Sequence, residues 1–199
     1  MSSLAQDHLT DPVARVGTAN LANGLTLVRL LLVPVFVAVL FHDGGHEFEW
    51  RWWAWVVFAI AAFTDTVDGR IARRRCIVTD FGKIADPIAD KALSGAALAG
   101  LSSLGDLPWA VTAVVLTREI GVTALRFWVI RLGVIPASRG GKLKTMLLGF
   151  GTGFWILPFT GFGHDIARVL MSAAVVVALV TGFDYTLRAL RLRRAAAVH

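Results

Sequence analysis

Six apolar runs, each separated from the next by a short polar stretch, dominate the chain: about Leu25–Phe41, Arg51–Asp68, Pro87–Leu104, Trp109–Ile130, Leu143–Pro158 and Ile166–Leu187. Each is close to the ~17–25 residues that a helix needs to cross a bilayer. The pattern predicts an all-α integral membrane protein with six transmembrane helices. Pro34 lies inside the first run, where neighbouring helices can satisfy the freed carbonyl. Residues 1–19 form a polar N-terminus. Pro12, Arg15 and Val16 fit a short interfacial helix ahead of the first span. Residues 20–187 then form the six-helix domain, and 188–199 a basic tail holding Arg188, Arg191, Arg193 and Arg194.

Composition supports this reading. Of 199 residues, 56% are hydrophobic and seven are Trp, with mean hydropathy +0.65. A soluble domain rarely carries so much apolar surface. The net charge of +6 is concentrated in alternate connections. Arg70–Arg75 with Lys83, then Arg131–Lys144, then the tail are basic. The connections around His42–Trp50, Gly105–Pro108 and Gly161–His164 are poor in Lys and Arg, with only Arg51 and Arg168 nearby. The positive-inside rule therefore expects a multi-pass protein of the cell (inner) membrane with both termini cytoplasmic. Trp50, Trp52, Trp53, Trp55 and Trp109 are expected to mark the outer interface. No aromatic and basic interleaving suggests nucleic acid as a partner. Residues 1–19, which include Asp7 and Asp11, do not read as a cleaved signal peptide. Cys76 is the single cysteine, which rules out an internal disulfide.

The chemistry is concentrated between the second and third runs. Asp65 and Asp68 are three apart, and Asp86 and Asp90 are four apart. On helices, each pair shares one face. Four carboxylates brought together repel, and a hard divalent cation is the natural partner for such oxygen donors. Gly69, Ala72 and Gly82 allow a bulky ligand close to the backbone, and Arg73 supplies a cation for phosphate. Together these residues suggest phosphoryl chemistry on a nucleotide-like substrate.

The stretch Asp65-x2-Asp68-Gly69-x2-Ala72-Arg73-x8-Gly82-x3-Asp86-x3-Asp90 resembles the motif of the CDP-alcohol phosphatidyltransferases, without a gap. The resemblance implies a membrane enzyme that displaces CMP from a CDP-linked lipid with an alcohol. It further implies that Asp65, Asp68, Asp86 and Asp90 hold one or two Mg²⁺ (or Mn²⁺) ions. Asp68, Gly69, Ala72, Arg73 and Gly82 would then shape the CDP-lipid site, and Asp90 would be the base for the acceptor hydroxyl. Upstream, Asn20-Leu-Ala-Asn23-Gly-Leu-Thr26-Leu-Val-Arg29 is similar to the family's N-terminal pattern, with Ala22 where a proline is common. Asn23 and Thr26 are candidates for hydrogen bonds to cytosine or ribose, or for a helix cap.

Charges inside the fourth run need partners, because each costs on the order of 2.5–3.5 kcal/mol at mid-bilayer. Arg118 and Glu119 are adjacent and are expected to pair with other helices, and Arg126 lies two turns beyond Arg118. Arg139, Lys142 and Lys144 follow in the next connection. Arg118, Arg126, Arg139, Lys142 and Lys144 form a candidate site for an acceptor phosphate; a structural ion pair and lipid headgroup contact are the competing readings. Thr-Arg-Glu-Ile at 117–120, Leu125-Arg126 and Gly141-Lys-x-Lys-Thr145 resemble the phosphatidylglycerophosphate synthase branch. That branch joins CDP-diacylglycerol to sn-glycerol 3-phosphate. The cardiolipin synthase branch, which takes phosphatidylglycerol, is the alternative, and a divalent-cation transporter is a more distant one. The five histidines lie in termini or outer connections. Gly149-x3-Gly153 is a candidate helix-packing face, serving either the bundle or a homodimer.

Overall fold

The computed structural model describes the backbone of residues 12–75, 80–129 and 139–196, and the side chains of residue 24 and residues 27–64, 91–129 and 140–194. Among the described residues there are six α-helices and no strand. They are α1 (Pro12–Leu40), α2 (Phe48–Arg75), α3 (Asp80–Ser103), α4 (Trp109–Val129), α5 (Arg139–Ile156) and α6 (Phe162–Ala196), with a 3-10 turn at His42–Gly45. One helix matches each apolar run, but most helices outrun the apolar segment that predicted them.

The expected separate interfacial helix is not a distinct element. Helix α1 continues unbroken from Pro12 to Leu40. Proline is well suited to the first helical position, and Ala22 stands where a proline would have stopped the helix. The basic stretch after 187 likewise continues α6 as far as Ala196. Its Leu, Arg and Ala residues are strong helix formers, and Arg193 and Arg194 sit favourably in the last turn.

Small residues line the inside of the bundle. Ala54, Ala61, Ala97, Ala167, Ala174 and Ala178 are all buried, alongside Phe36, Leu40, Leu98, Leu101 and Ile156. Such residues let helix backbones approach closely. The α5–α6 pair is the most extensive, followed by α1 against α2 and α3, and α4 against α6. Close approach centres on Gly151, where an added Cβ would stand 3.2 Å from the backbone nitrogen of Met171. The predicted Gly149–Gly153 face therefore divides. Gly153 faces Trp55 and Phe58 of α2, whereas Gly149 faces open space.

The outside of the bundle is apolar. Leu31 and Val35 on α1, Ile60 and Phe63 on α2, Ile120 and Phe127 on α4, Phe150 on α5, and Val176, Val180 and Phe183 on α6 are exposed. Among the described residues, one helix, over Phe162–Arg194, is long and apolar enough to cross a membrane, and Leu27–Leu40 is a shorter apolar stretch. The tryptophan cluster splits: Trp52, Trp53 and Trp109 are exposed, while Trp55 packs against the core.

At the end of the bundle holding the 3-10 turn, one residue joins three connections. Asp106, between α3 and α4, accepts a hydrogen bond from Arg51 of α2. His46 Nε2 lies 3.3 Å from its other carboxylate oxygen. The Asp106 carbonyl accepts from Trp155 Nε1 of α5 at 3.2 Å. Arg51 is only 6% exposed, so its guanidinium depends on this carboxylate. Breaking one side of a buried pair costs about 3–5 kcal/mol, whereas replacing both sides with apolar groups is often neutral. Asp106→Ala should therefore lower the melting temperature in detergent by several degrees. The double variant Arg51→Met with Asp106→Leu should recover most of that loss.

Candidate active site

The motif falls on two helix ends that face each other along the chain. Asp65, Asp68, Gly69, Ala72 and Arg73 lie in the last turns of α2, and Gly82, Asp86 and Asp90 in the first turns of α3. Helical periodicity places Asp65 with Asp68, and Asp86 with Asp90, on a common face of each helix. The side chains of all these residues, and those of Asn23 and Thr26 on α1, lie outside the described residues. The same is true of Arg139, the first residue of α5. Among the described residues, no group of three or more His, Cys, Asp or Glu could hold a metal ion.

Beyond the motif, the structure gathers a charged cluster on α4. The Glu119 carboxylate oxygen Oε1 accepts from Arg118 Nη1 at 3.1 Å and also from Lys144 Nζ of α5. Arg118 reaches across to α6 as well. Its Nε donates to the Ala178 carbonyl at 3.0 Å and its Nη2 to Thr181 Oγ1 at 2.8 Å. Gly182 makes this crossing possible, since a Cβ there would stand 3.1 Å from Arg118 Cγ. Thr181 in turn donates to the Val177 carbonyl at 2.6 Å. Adjacent residues on a helix point to different sectors, and Arg118 and Glu119 do pair with different helices, as expected; they also pair with each other.

A second link joins this cluster to α3. Lys91, the residue after Asp90, donates to Thr123 Oγ1, and Thr123 donates to the Glu119 carbonyl at 2.8 Å. The link runs from the last motif aspartate's neighbour to the backbone of α4 at Glu119. Lys91 and Thr123 were not singled out in the sequence; the available signal was a lysine next to a motif aspartate at the edge of an apolar run. Arg29 of α1 was noted only within a longer pattern, yet it is 1% exposed.

Of the five cations expected to bind an acceptor phosphate, the structure brings Arg118 and Lys144 together. Arg126 and Lys142 are exposed on the surfaces of α4 and α5. Beside Arg118, a cavity of about 320 Å³ opens between α4 and α6, with Gly121, Leu125, Gly182 and Phe183 in its walls. Below it, Arg193 of α6 stacks over the ring of Trp128 on α4 at 4.1 Å. The chemistry available is thus two largely buried cations around one carboxylate, on helices next to those that carry the four-aspartate motif.

Comparison with known proteins identifies the family. A family model described as CDP-alcohol phosphatidyltransferase matches residues 19–180. A Mycobacterium tuberculosis protein named probable phosphatidylglycerophosphate synthase is 54% identical over 187 residues, covering 94% of this chain and 90% of the relative. A Bacillus subtilis protein named CDP-diacylglycerol–glycerol-3-phosphate 3-phosphatidyltransferase is 33% identical over 183 residues, covering 83% of this chain and 93% of its own length. A Rickettsia typhi protein of the same name is 33% identical over 171 residues, covering 83% and 94%. With most of its length matched by the family model and by full-length relatives, the chain belongs to the CDP-alcohol phosphatidyltransferase family.

Proposed function

We propose that this enzyme transfers the phosphatidyl group of CDP-diacylglycerol to sn-glycerol 3-phosphate, giving phosphatidylglycerophosphate and CMP. The observation that carries the reading is the 54% identity to a protein named for this activity, sustained over 94% of the chain. The largely buried cations Arg118 and Lys144 support it, because an acceptor bearing a dianionic phosphate needs positive charge within the bundle. In the reaction, the acceptor hydroxyl attacks the phosphatidyl phosphorus. A new P–O bond forms, the P–O bond to CMP breaks, and Asp90 takes the hydroxyl proton. Asp68, Gly69, Ala72, Arg73 and Gly82, with Asn23 and Thr26, form the CDP-lipid site.

The donor set of Asp65, Asp68, Asp86 and Asp90 on two helix ends fits one or two Mg²⁺ or Mn²⁺ ions, because these are hard cations that favour carboxylate oxygen. A bound divalent ion would neutralise charge on the diphosphate and on the departing CMP. Six helices cross the membrane in this reading, with the motif end and both termini cytoplasmic. The exposed apolar side chains on α1, α2, α4, α5 and α6 support a lipid surround, since exposed apolar surface of this kind favours a non-aqueous environment. The six-helix domain is 20–187, with α6 carrying its basic end beyond the membrane. A homodimer fits the open face at Gly149.

Three tests follow from this reading. Purified enzyme given CDP-diacylglycerol should release CMP when glycerol 3-phosphate is added. Release with phosphatidylglycerol and not with glycerol 3-phosphate would assign the cardiolipin branch instead. For the metal, Asp65→Asn, Asp68→Asn or Asp86→Asn should each lower turnover by about 100-fold or more while thermal stability is retained. EDTA should abolish activity, and added Mg²⁺ or Mn²⁺ should restore it; full activity after EDTA would refute the metal assignment. For orientation, cysteines can be placed at Ser138 and Glu47 after Cys76→Ser, with labelling in intact cells. Ser138→Cys should react only once the inner face is opened, and Glu47→Cys from outside. The opposite pattern would refute the charge argument.

A further inference from the structure

We infer that Glu119 is a positioning residue for the acceptor phosphate, acting through Lys144; this rests on the phosphatidyltransferase reading above. Arg118, Glu119 and Lys144 have side chains only 13%, 17% and 7% exposed, so their charges interact with little help from water. Both cations converge on the same carboxylate oxygen. Two like charges stay this close in a shielded place only with an anion between them. Among the described residues one carboxylate meets two cations, an arrangement that suits a further anion such as phosphate.

The two cations are not equivalent. Arg118 is fixed on three sides, to Ala178, Thr181 and Glu119, and braced against Gly182. Lys144 carries three N–H donors, and among the described residues one of them is engaged, by Glu119. In this inference Lys144 is the contact for phosphate, Glu119 the group that aims it, and Arg118 the brace that holds Glu119 to α6. The acceptor must also reach the motif with its hydroxyl. The Lys91–Thr123–Glu119 link sets the register between the residue after Asp90 and the phosphate end. The Lys91–Thr123 contact between α3 and α4 would then help to set the distance between the two ends of the acceptor.

The experiment is steady-state kinetics on purified Glu119→Gln and Glu119→Asp, with both substrates varied and thermal melts recorded in parallel. Glu119→Gln should raise the KM for glycerol 3-phosphate about tenfold or more, the effect of losing one well-aimed charged contact, with the KM for CDP-diacylglycerol changed less than about twofold. Glu119→Asp keeps the charge and should recover part of that loss; it also provides the measurement if Glu119→Gln does not fold. In a Lys144→Met background, Glu119→Gln should add less than about twofold to the glycerol 3-phosphate KM, because the two residues act as one unit. An unchanged or lowered KM in Glu119→Gln, equal rises for both substrates, or effects that multiply in the double variant would overturn the inference. Wild-type enzyme that ignores glycerol 3-phosphate would instead overturn the acceptor assignment, and this is read before any variant is made.

Discussion

A carboxylate among apolar helices must be neutralised where it stands, and Glu119 is the point at which this bundle meets that demand. Its partners come from two helices, Arg118 from α4 itself and Lys144 from α5, and Arg118 carries the connection on to α6. Thr123 adds α3 through Lys91. Directional contacts around Glu119, Arg118 and Thr123 thus tie α3, α5 and α6 to α4. Apolar packing between Ala and Leu surfaces tolerates sliding far better than a set of charged hydrogen bonds does. The polar cluster therefore holds α3, at Lys91, in register with α4 and α5.

The opposite end of the bundle solves the same problem with different residues. Arg51 is buried, Asp106 neutralises it, and Trp155 and His46 complete the junction. Between the two polar junctions the contacts are mostly apolar and small-residue, with Gly151 admitting α6 against α5 and Gly100 lying under Leu40 of α1. Polar contacts at separated levels and close apolar packing between them give a frame built among the described residues.

The helices themselves were legible in the sequence, because a run of apolar residues long enough to span a bilayer has few alternatives to a helix. Their ends were less so. Hydropathy falls at Asp68 and Leu187, but the helical backbone continues to Arg75 and Ala196, since Arg, Ala and Leu are good helix formers and no proline intervenes. The motif was legible as a spacing, and α2 and α3 carry it on their adjoining ends. The pairs that organise the bundle were not. Arg51 finds Asp106 across 55 positions and Arg118 finds Thr181 across 63, and no local pattern encodes such a distance. A sequence marks each buried charge as needing a partner; which partner depends on how the helices pack.

Helix α6 shows how the same logic extends beyond the apolar zone. Its 35 residues give a length of about 52 Å, against a hydrocarbon layer of about 30 Å. The surplus would be an independent rod if nothing held it. Two contacts tie it to α4 at different heights: Arg118 against Ala178 and Thr181, and Arg193 over Trp128. On α4 these lie ten residues apart, about 15 Å along the axis. A pair of helices fixed at two heights cannot pivot, so the cavity between them keeps its walls. Arg188 is held to its own helix by Asp184 at 3.0 Å. The last basic turn of α6 thus serves two ends at once: its charges suit a helix C-terminus, and one of them, Arg193, secures the far end of α4, the helix that carries Glu119.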